Sequence, residues 1–371
     1  MRAARCDGGV VLTPGKFGAG GSFWRSRMRW AVVIVLAVAA LVVRFGFSET
    51  AALAARPTEA ALAKLKAEFV RPKAIPFPSD DPYSKAKAHL GELLFWDPIL
   101  SGNGTQSCAS CHNPALSWTD GLRHGIGVQE MKTHTPTLLN VAWAPILGWD
   151  GHFPSLEAVA FAGPITNPGI MNRKPDELVR ALAAIPGYRA AFAAAFPDHA
   201  ITQAHMADAL ATFERTIVSG TAPFDRWIDG DEHAISARAK RGFVLFTGKA
   251  GCAECHVGWA FTDEGFYDIG TATGDDIGRA KLFPNSVKLK YAFKVPTLRD
   301  AARRGPYMHD GSEATLADVI DLYDRGGIDR PSRSELIKPL HLTVAEKSDL
   351  IAFLDTLTAN PKPVDVPILP R

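Results

Sequence analysis

Two copies of one pentapeptide, C-x-x-C-H, constrain this 371-residue chain more than any other feature. They occupy residues 108–112 and 252–256 and use four of the five cysteines, which leaves Cys6 over. Two thiols at this spacing reach the two vinyl groups of one porphyrin, and the histidine that follows lies under the iron as its proximal ligand. The pattern therefore predicts two haem c groups. The predicted attachment thiols and iron ligands are Cys108, Cys111 and His112 for the first haem, and Cys252, Cys255 and His256 for the second.

A redox-active C-x-x-C pair and a zinc site are the other uses of these residue types. The N-terminus favours haem, because Arg25, Arg27 and Arg29 precede the uninterrupted apolar run 30–43. A basic segment before an apolar run shorter than the roughly 20 residues of a membrane helix is typical of an export signal. Residues 1–54 are predicted to be a signal peptide or an N-terminal membrane segment. The protein is then periplasmic, outside the cytoplasm, where haem c is attached.

The composition is that of a globular protein, with 47% hydrophobic residues and 41 basic residues against 39 acidic ones. A formal net charge of +2 leaves no basic surplus for binding nucleic acid, so no nucleic-acid partner is expected. The length allows two domains of ordinary size.

Helical patterns dominate the chain around the two motifs. Three helix starts are predicted, at Pro175, at Thr202 and at Thr343, the last in a capping box with Glu346. A similar apolar phrase precedes each motif, which indicates an internal duplication. The fold is predicted to be mainly α, with two cytochrome c-like helical domains, each enclosing one covalently attached haem c. These domains are predicted at residues 55–230 and 231–371.

Several longer phrases surround the motifs in a fixed order. They read S-C-A-S-C-H-N at 107–113, T-P-T-L-L-N at 135–140, W-D-G at 149–151, V-P-T-L-R at 295–299 and P-Y-M-H-D-G at 306–311. With these phrases the chain resembles the bacterial di-haem cytochrome c peroxidase and MauG family over residues 72–369. The resemblance implies that the N-terminal haem reacts with hydrogen peroxide and that the C-terminal haem stores an oxidising equivalent. It also implies that Trp149 relays electrons between them; a plain core aromatic is the other role open to Trp149.

The resemblance also concerns the second axial ligand of the C-terminal haem. Ordinary peroxidases of the family place a methionine fourteen residues after the histidine of the P-Y-M-H-D-G phrase, and here that position is Tyr323. Tyr323 resembles the MauG arrangement, in which a tyrosine ligates the iron. A phenolate is a hard anionic donor that stabilises higher iron oxidation states, whereas a thioether favours the reduced state. Met308 is the rival ligand, and packing on an amphipathic helix is the other role open to Tyr323.

The chain departs from the family pattern near the first haem. The acid that normally precedes a methionine is replaced by Ile170, which cannot move the proton that peroxide cleavage requires. His152 takes the place of an arginine three residues beyond Trp149, and imidazole is a competent acid and base near neutral pH. We therefore predict Trp149 and His152 as the catalytic residues, with His152 moving the proton. A bond to a haem propionate, or exposure to water, is the alternative for His152.

The bridging calcium ion of the family is left open for this chain. Its asparagine ligand corresponds to His134, a poor donor to a hard cation, and a threonine carbonyl ligand maps to Arg304. The histidine argues against calcium binding, whereas the backbone at Arg304 could still serve as a ligand.

The residues and the resemblance together predict a periplasmic di-haem peroxidase-like oxidoreductase. It is expected to react with hydrogen peroxide at the N-terminal haem and to transfer electrons between the haems. Its reductant is an electron-donor protein or, if Tyr323 ligates, a partner protein oxidised on its side chains in a MauG-like reaction. The alternative is a non-enzymatic di-haem electron-transfer cytochrome, which the missing acid at Ile170 suggests. A homodimer, usual in related peroxidases, is left open.

Overall fold

The computed structural model describes residues 58–361 and 363–371, so the predicted export segment at 1–54 lies outside the described residues. The described part is mainly helical, as predicted. Its α-helices are, in chain order, α1 (Glu59–Ala67), α2 (Lys85–Trp96), α3 (Cys108–Cys111), α4 (Leu156–Ala162), α5 (Pro175–Ala184), α6 (Pro186–Ala195), α7 (Gln203–Arg215), α8 (Pro223–Ile228), α9 (Ala237–Thr247), α10 (Leu316–Arg325) and α11 (Val344–Asp355).

Shorter elements connect the helices. The strands β1 (Phe266–Tyr267) and β2 (Phe293–Lys294) pair in an antiparallel register. Single turns of 3-10 helix lie at Pro98–Leu100, Pro114–Leu116, Val141–Trp143, Cys252–Glu254, Arg279–Lys281 and Ala301–Arg303. Within residues 58–361 and 363–371, every helix is too short or too polar to cross a bilayer.

The three predicted helix starts are confirmed, two by capping contacts and one by a proline at the first helical position. The Thr202 side chain accepts a hydrogen bond from the His205 amide at 3.1 Å at the start of α7. Thr343 and Glu346 form the capping box of α11, and Pro175 occupies the first turn of α5. The Thr202 and Thr343 caps satisfy amide donors that the first turn of a helix leaves without an intrahelical partner, whereas Pro175 has no amide hydrogen to satisfy.

A first hydrophobic core forms where α2 packs against α7. Leu90, Leu94 and Phe95 of α2 and Leu210 of α7 are at most 2% exposed. Burying each such side chain contributes about 1.5–3 kcal/mol, so this helix pair stabilises the first half of the molecule.

A second core forms where α9 packs against α11, and it is built largely from phenylalanine rings such as Phe243 and Phe353. Phe69, which follows α1, and Phe224 of α8 are buried in the same cluster. Both residues precede residue 230. The second core thus takes in side chains from before the predicted boundary, and the division into domains stays a prediction.

A glycine allows the close helix crossing in each core. Gly91 of α2 faces the Ala209 carbonyl of α7, and Gly242 of α9 faces the Asp349 carbonyl of α11. A β-carbon at either glycine would overlap that carbonyl, so only glycine lets the two helices approach this closely. The two halves therefore share the same close helix crossing at a glycine, which agrees with an internal duplication.

Candidate haem sites

The first C-x-x-C-H motif consists of α3 and the residue that follows it, His112. Nδ1 of His112 lies 3.2 Å from the Trp118 carbonyl oxygen. Because a carbonyl can only accept, Nδ1 carries the proton and Nε2 is left as the ligand atom. Burial lowers the pKa of His112, which favours the neutral imidazole that a metal requires.

The second motif repeats this arrangement around His256. Its Nδ1 donates to the Phe261 carbonyl oxygen at 2.9 Å, so that Nε2 is again the available ligand atom. Burial also lowers the pKa of His256. A hydrogen bond from the far ring nitrogen fixes both the tautomer and the orientation of a ligating histidine. Both histidines are therefore held ready to ligate a metal.

The four motif thiols are free in the structure. Burial raises the pKa of Cys252 to about 12 and that of Cys255 to about 11. It also raises the pKa of Cys108 and of Cys111. A redox-active C-x-x-C pair needs a lowered thiol pKa, so these thiols do not have that character.

A zinc site shared by both motifs would need four of these side chains to converge. In the part of the chain that the structure describes, no group of three or more His, Cys, Asp or Glu side chains is placed to hold a metal ion. The zinc interpretation therefore has no geometric support.

A largely apolar cavity adjoins the second motif. The Cys252 and Cys255 thiols and the His256 ring all line it. The rest of its wall comes mostly from hydrophobic side chains, among them Phe246, Leu316, Val319, Ile320, Leu340 and Leu350. An apolar pocket with two thiols and one imidazole at its edge fits a covalently attached porphyrin.

Both rival residues for the second axial position line this cavity. Tyr323 projects from α10, and Met308 lies in the loop before that helix. Burial raises the pKa of the Tyr323 phenol, and the nearby Cys252 and Cys255 thiols add to the rise. Without a cation in the cavity the phenol therefore stays protonated. A ferric ion would offset the burial and favour the phenolate.

Trp149 lines the same cavity from the side of the first half. Its indole N–H donates to the His134 carbonyl oxygen at 2.7 Å, and its own carbonyl accepts from the Lys294 amide at 2.8 Å. His134 follows the first motif in the chain, and Lys294 belongs to β2. Trp149 is therefore fixed between the segment after the first motif and the wall of the second cavity.

Comparisons with known proteins agree with this geometry. Residues 85–233 match the family model described as di-haem cytochrome c peroxidase. The methylamine utilization protein MauG of Methylorubrum extorquens is 49% identical over 92% of this chain and 97% of its own length. The cytochrome c551 peroxidase of Nitrosomonas europaea is 33% identical over 80% of this chain and 86% of its own length.

The chain belongs to the di-haem cytochrome c peroxidase and MauG family. It is a haem-containing, peroxidase-type oxidoreductase, and these relatives give no support to the alternative of a non-enzymatic carrier. The crystal structure of a MauG-like protein associated with microbial copper homeostasis superimposes with a TM-score of 0.72. That protein is 32% identical in sequence to this chain. The match covers 78% of this chain and 94% of the chain of that protein. The predicted fold class is thereby confirmed.

The two predicted departures near the first haem lie in different environments in this di-haem peroxidase. Ile170 is partly buried and packs against the first core. His152 is exposed, and its ring contacts Phe153 edge-on with the centroids 5.1 Å apart. This is the water-exposed alternative for His152, whose role as proton shuttle stays a prediction.

Sequence reasoning missed the acid Glu214 of α7. Its pKa is raised to about 8, chiefly by burial and further by the charge of Glu157, while Arg215 opposes the rise. Its negative charge lies close enough to Cys108 to raise the pKa of that thiol. Glu214 is thus a buried acid with a raised pKa that, when ionised, acts electrostatically on the first attachment thiol. The available signal was an acid that directly follows Phe213 and lies three and four residues after Ala211 and Leu210 on the same helix.

The residues that correspond to calcium ligands in the family are bonded to other groups here. Nδ1 of His134 donates to the Leu122 carbonyl at 2.6 Å, and the His134 carbonyl is bonded to Trp149. The Arg304 guanidinium donates to the Thr297 carbonyl at 2.5 Å, and burial lowers its pKa to about 10. Its positive charge also lowers the pKa of His134. A second cation next to this guanidinium would be repelled.

Proposed function

We propose that this di-haem peroxidase takes two oxidising equivalents from hydrogen peroxide at the first motif and uses them to oxidise side chains of a partner protein. The observation that carries the proposal is the pair of donors in the second cavity. The His256 imidazole and the Tyr323 phenol line one apolar space together with both attachment thiols. When bound, haem supplies the electron exchange with peroxide and with the donor.

The side chains of the protein set the character of the second site. His256 presents Nε2 because its Nδ1–H is bonded to the Phe261 carbonyl. Tyr323 offers a hard anionic oxygen, which stabilises an oxidised iron more than a thioether from Met308 would. A site with this pair of ligands accepts electrons poorly from ordinary electron-donor proteins. It is suited to hold an oxidising equivalent until a side chain of a partner protein is oxidised.

Trp149 is the proposed electron relay, and its surroundings distinguish it from another partly buried tryptophan, Trp259. The guanidinium groups of Arg71 and Arg299 lie 5.5 Å and 5.9 Å from the Trp259 ring. A cation over an indole face stabilises the neutral ring and opposes its oxidation. In the described residues no cation lies over the Trp149 ring. Trp149 is therefore the easier of the two to oxidise, and it also lines the cavity.

The ligand role of Tyr323 is tested with Tyr323→Phe. We expect the absorption and electron paramagnetic resonance spectra of the ferric protein to lose the signal of one low-spin haem, because the phenolate donor is gone. Tyr307→Phe is the matched control, since Tyr307 lines the same cavity but donates its hydroxyl hydrogen to the Ala301 carbonyl at 3.1 Å. Unchanged spectra in Tyr323→Phe, together with a loss in Met308→Leu, would assign the position to methionine.

We also propose that each half of the chain holds one haem c, two per chain, and that the enzyme is periplasmic. The two motifs and the basic and apolar pattern of residues 25–43 support both parts. Mass spectrometry of the purified protein should show a mass increase equal to two haem groups and the loss of an N-terminal segment. The oligomeric state is left open, and light scattering distinguishes a monomer from the homodimer that is usual in related peroxidases.

A further inference from the structure

The loop at residues 279–290, called here the basic loop, is an exposed surface of mixed basic and apolar character. It reads R-A-K-L-F-P-N-S-V-K-L-K and contains no acidic residue. Lys281, Lys288 and Lys290 are exposed. Phe283 is 46% exposed and Val287 is 62% exposed. Exposed large apolar side chains among charged ones are typical of a surface that binds another protein.

The base of the basic loop is held in place by the backbone. The Arg279 amide donates to the Ala292 carbonyl at 2.9 Å, and the Tyr291 amide donates to the Ile277 carbonyl at 2.8 Å. The Arg279 guanidinium also lies 3.9 Å from the centre of the Phe266 ring. The loop therefore projects from a fixed base, which positions its exposed side chains.

The same base contacts the segment that carries the electron relay. The Arg279 guanidinium donates to the Asp150 carbonyl at 2.8 Å, and Asp150 directly follows Trp149. Just beyond the loop, Phe293 and Lys294 line the second cavity. A protein seated on the basic loop would thus lie next to both Trp149 and the second cavity. Electron exchange needs that proximity.

The charge of the basic loop selects the kind of partner. Lys288 lies 3.3 Å from Glu335, but both side chains are largely exposed, so this pair contributes little. Among the described residues, no other carboxylate forms an ion pair with a basic side chain of the loop. Unpaired lysines around an apolar centre attract an acidic surface and repel a basic one. They also oppose the pairing of this surface with its own copy.

We propose that the basic loop is the docking surface for the protein that exchanges electrons with this enzyme, and that this partner presents acidic side chains there. The proposal rests on the proposed function for the electron exchange, whereas the binding itself can be measured without peroxide. It commits to an acidic protein as the occupant.

The test uses two ferric cytochromes c of opposite charge as probes of the ferric holoenzyme, an acidic bacterial one and a basic mitochondrial one. Calorimetry at 10 mM salt should show that the acidic probe binds at least tenfold more tightly, with its affinity falling about tenfold at 200 mM salt. The triple variant K281E/K288E/K290E should reverse the preference. Phe283→Ser should weaken binding of the acidic probe about tenfold at either salt concentration.

The matched control is K64E/K73E/K85E, which makes the same change in net charge at exposed lysines that have no carboxylate partner among the described residues. It should keep the preference for the acidic probe. Equal loss of binding in the control and in the loop variant would show a net-charge effect and overturn the proposal. Preferential binding of the basic probe by the unaltered enzyme would overturn it as well.

Sedimentation tests whether a second copy of the chain occupies the basic loop instead. A dimer of the unaltered protein that dissociates in K281E/K288E/K290E would place a second copy there and overturn the proposal. Failure of the holoenzyme to react with peroxide, with the binding preference intact, would contradict the proposed function and leave the docking surface standing.

Discussion

In the first half of the molecule, α2 crosses α7 at Gly91, and His112 is held by the Trp118 carbonyl. In the second half, α9 crosses α11 at Gly242, and His256 is held by a carbonyl in the same way. The close helix crossing at a glycine and the orientation of the histidine thus occur in both halves. Duplication accounts for the attachment of two haems but for no difference between them.

The difference arises from the side chains placed around each motif. The second cavity is lined by Tyr323, Met308 and Trp149. Near the first motif, a family acid is replaced by Ile170, and Glu214, an acid with a raised pKa, acts electrostatically on Cys108. One helical frame can therefore serve two chemical roles, because attachment and axial chemistry depend on different residues.

The largest expected effect tests the helix crossing that both halves share, at Gly91 and at Gly242. Gly91→Leu and Gly242→Leu should each destabilise the folded protein by at least about 3 kcal/mol, because the new side chain overlaps a backbone carbonyl of the facing helix. Such a loss is a large part of the stability of an ordinary domain. Urea unfolding of the holo-protein measures it. Gly104→Asn is the control, since open space surrounds Gly104 and asparagine tolerates its φ of +70°.

A normal midpoint of unfolding in either leucine variant would show that the two halves do not share this crossing. A loss of stability in only one of the two variants would show that only that half depends on the glycine crossing.

The second expected effect tests the connection between the halves. Trp149→Phe should slow the spectral change of the second haem after peroxide mixing by about 100-fold, since phenylalanine is much harder to oxidise than tryptophan. Trp259→Phe should slow it less than threefold, because Arg71 and Arg299 already oppose oxidation of that ring. Stopped-flow absorption measures both. Equal rates in the two variants would remove Trp149 from the path.

The third expected effect concerns the proton at the first motif. Glu214→Gln should slow the reaction with peroxide about tenfold at pH 7, the low end of what one proton-transfer group contributes. His152→Ala should slow it less than threefold, because His152 is exposed. In the unaltered enzyme the rate should fall as the pH rises through about 8, where Glu214 loses its proton. The opposite ranking of the two variants would restore His152 as the shuttle.

The same carboxyl provides a smaller effect on stability. Its pKa is about 8 in the folded protein and about 4.5 when exposed, so the folded state binds more protons between these values. Unfolding is therefore favoured as the pH rises from about 4.5 to about 8. Glu214→Gln should flatten this slope over the window, because glutamine does not titrate. If Glu214→Gln leaves the pH dependence of the free energy of unfolding unchanged, burial does not raise the pKa of Glu214.

Motif spacing and helix caps predicted much of what the structure shows. The C-x-x-C-H pentapeptides identified the attachment residues as candidates, and the helix starts at Pro175, Thr202 and Thr343 are confirmed. These features are local, because the chemistry of a cap or a haem motif is contained within a few residues. Local patterns can therefore be recognised without knowledge of the tertiary structure.

Features that depend on distant contacts were not predictable. Phe69 is buried in the second core although it precedes the first motif, and no periodicity within its own segment indicates that partner. The raised pKa of Glu214 depends on burial by other helices, and the exposure of His152 depends on where the Trp149 loop packs. Sequence patterns identify residue types, whereas environments arise only when separate segments meet.

The central claim is that two equally attached haems differ in their axial coordination, one with an open face and one held between His256 and Tyr323. Electron paramagnetic resonance of the oxidised holo-protein tests it most directly. The account predicts one high-spin and one low-spin ferric signal in equal amounts, with the high-spin signal lost when peroxide is added. Two low-spin signals that do not respond to peroxide would contradict it.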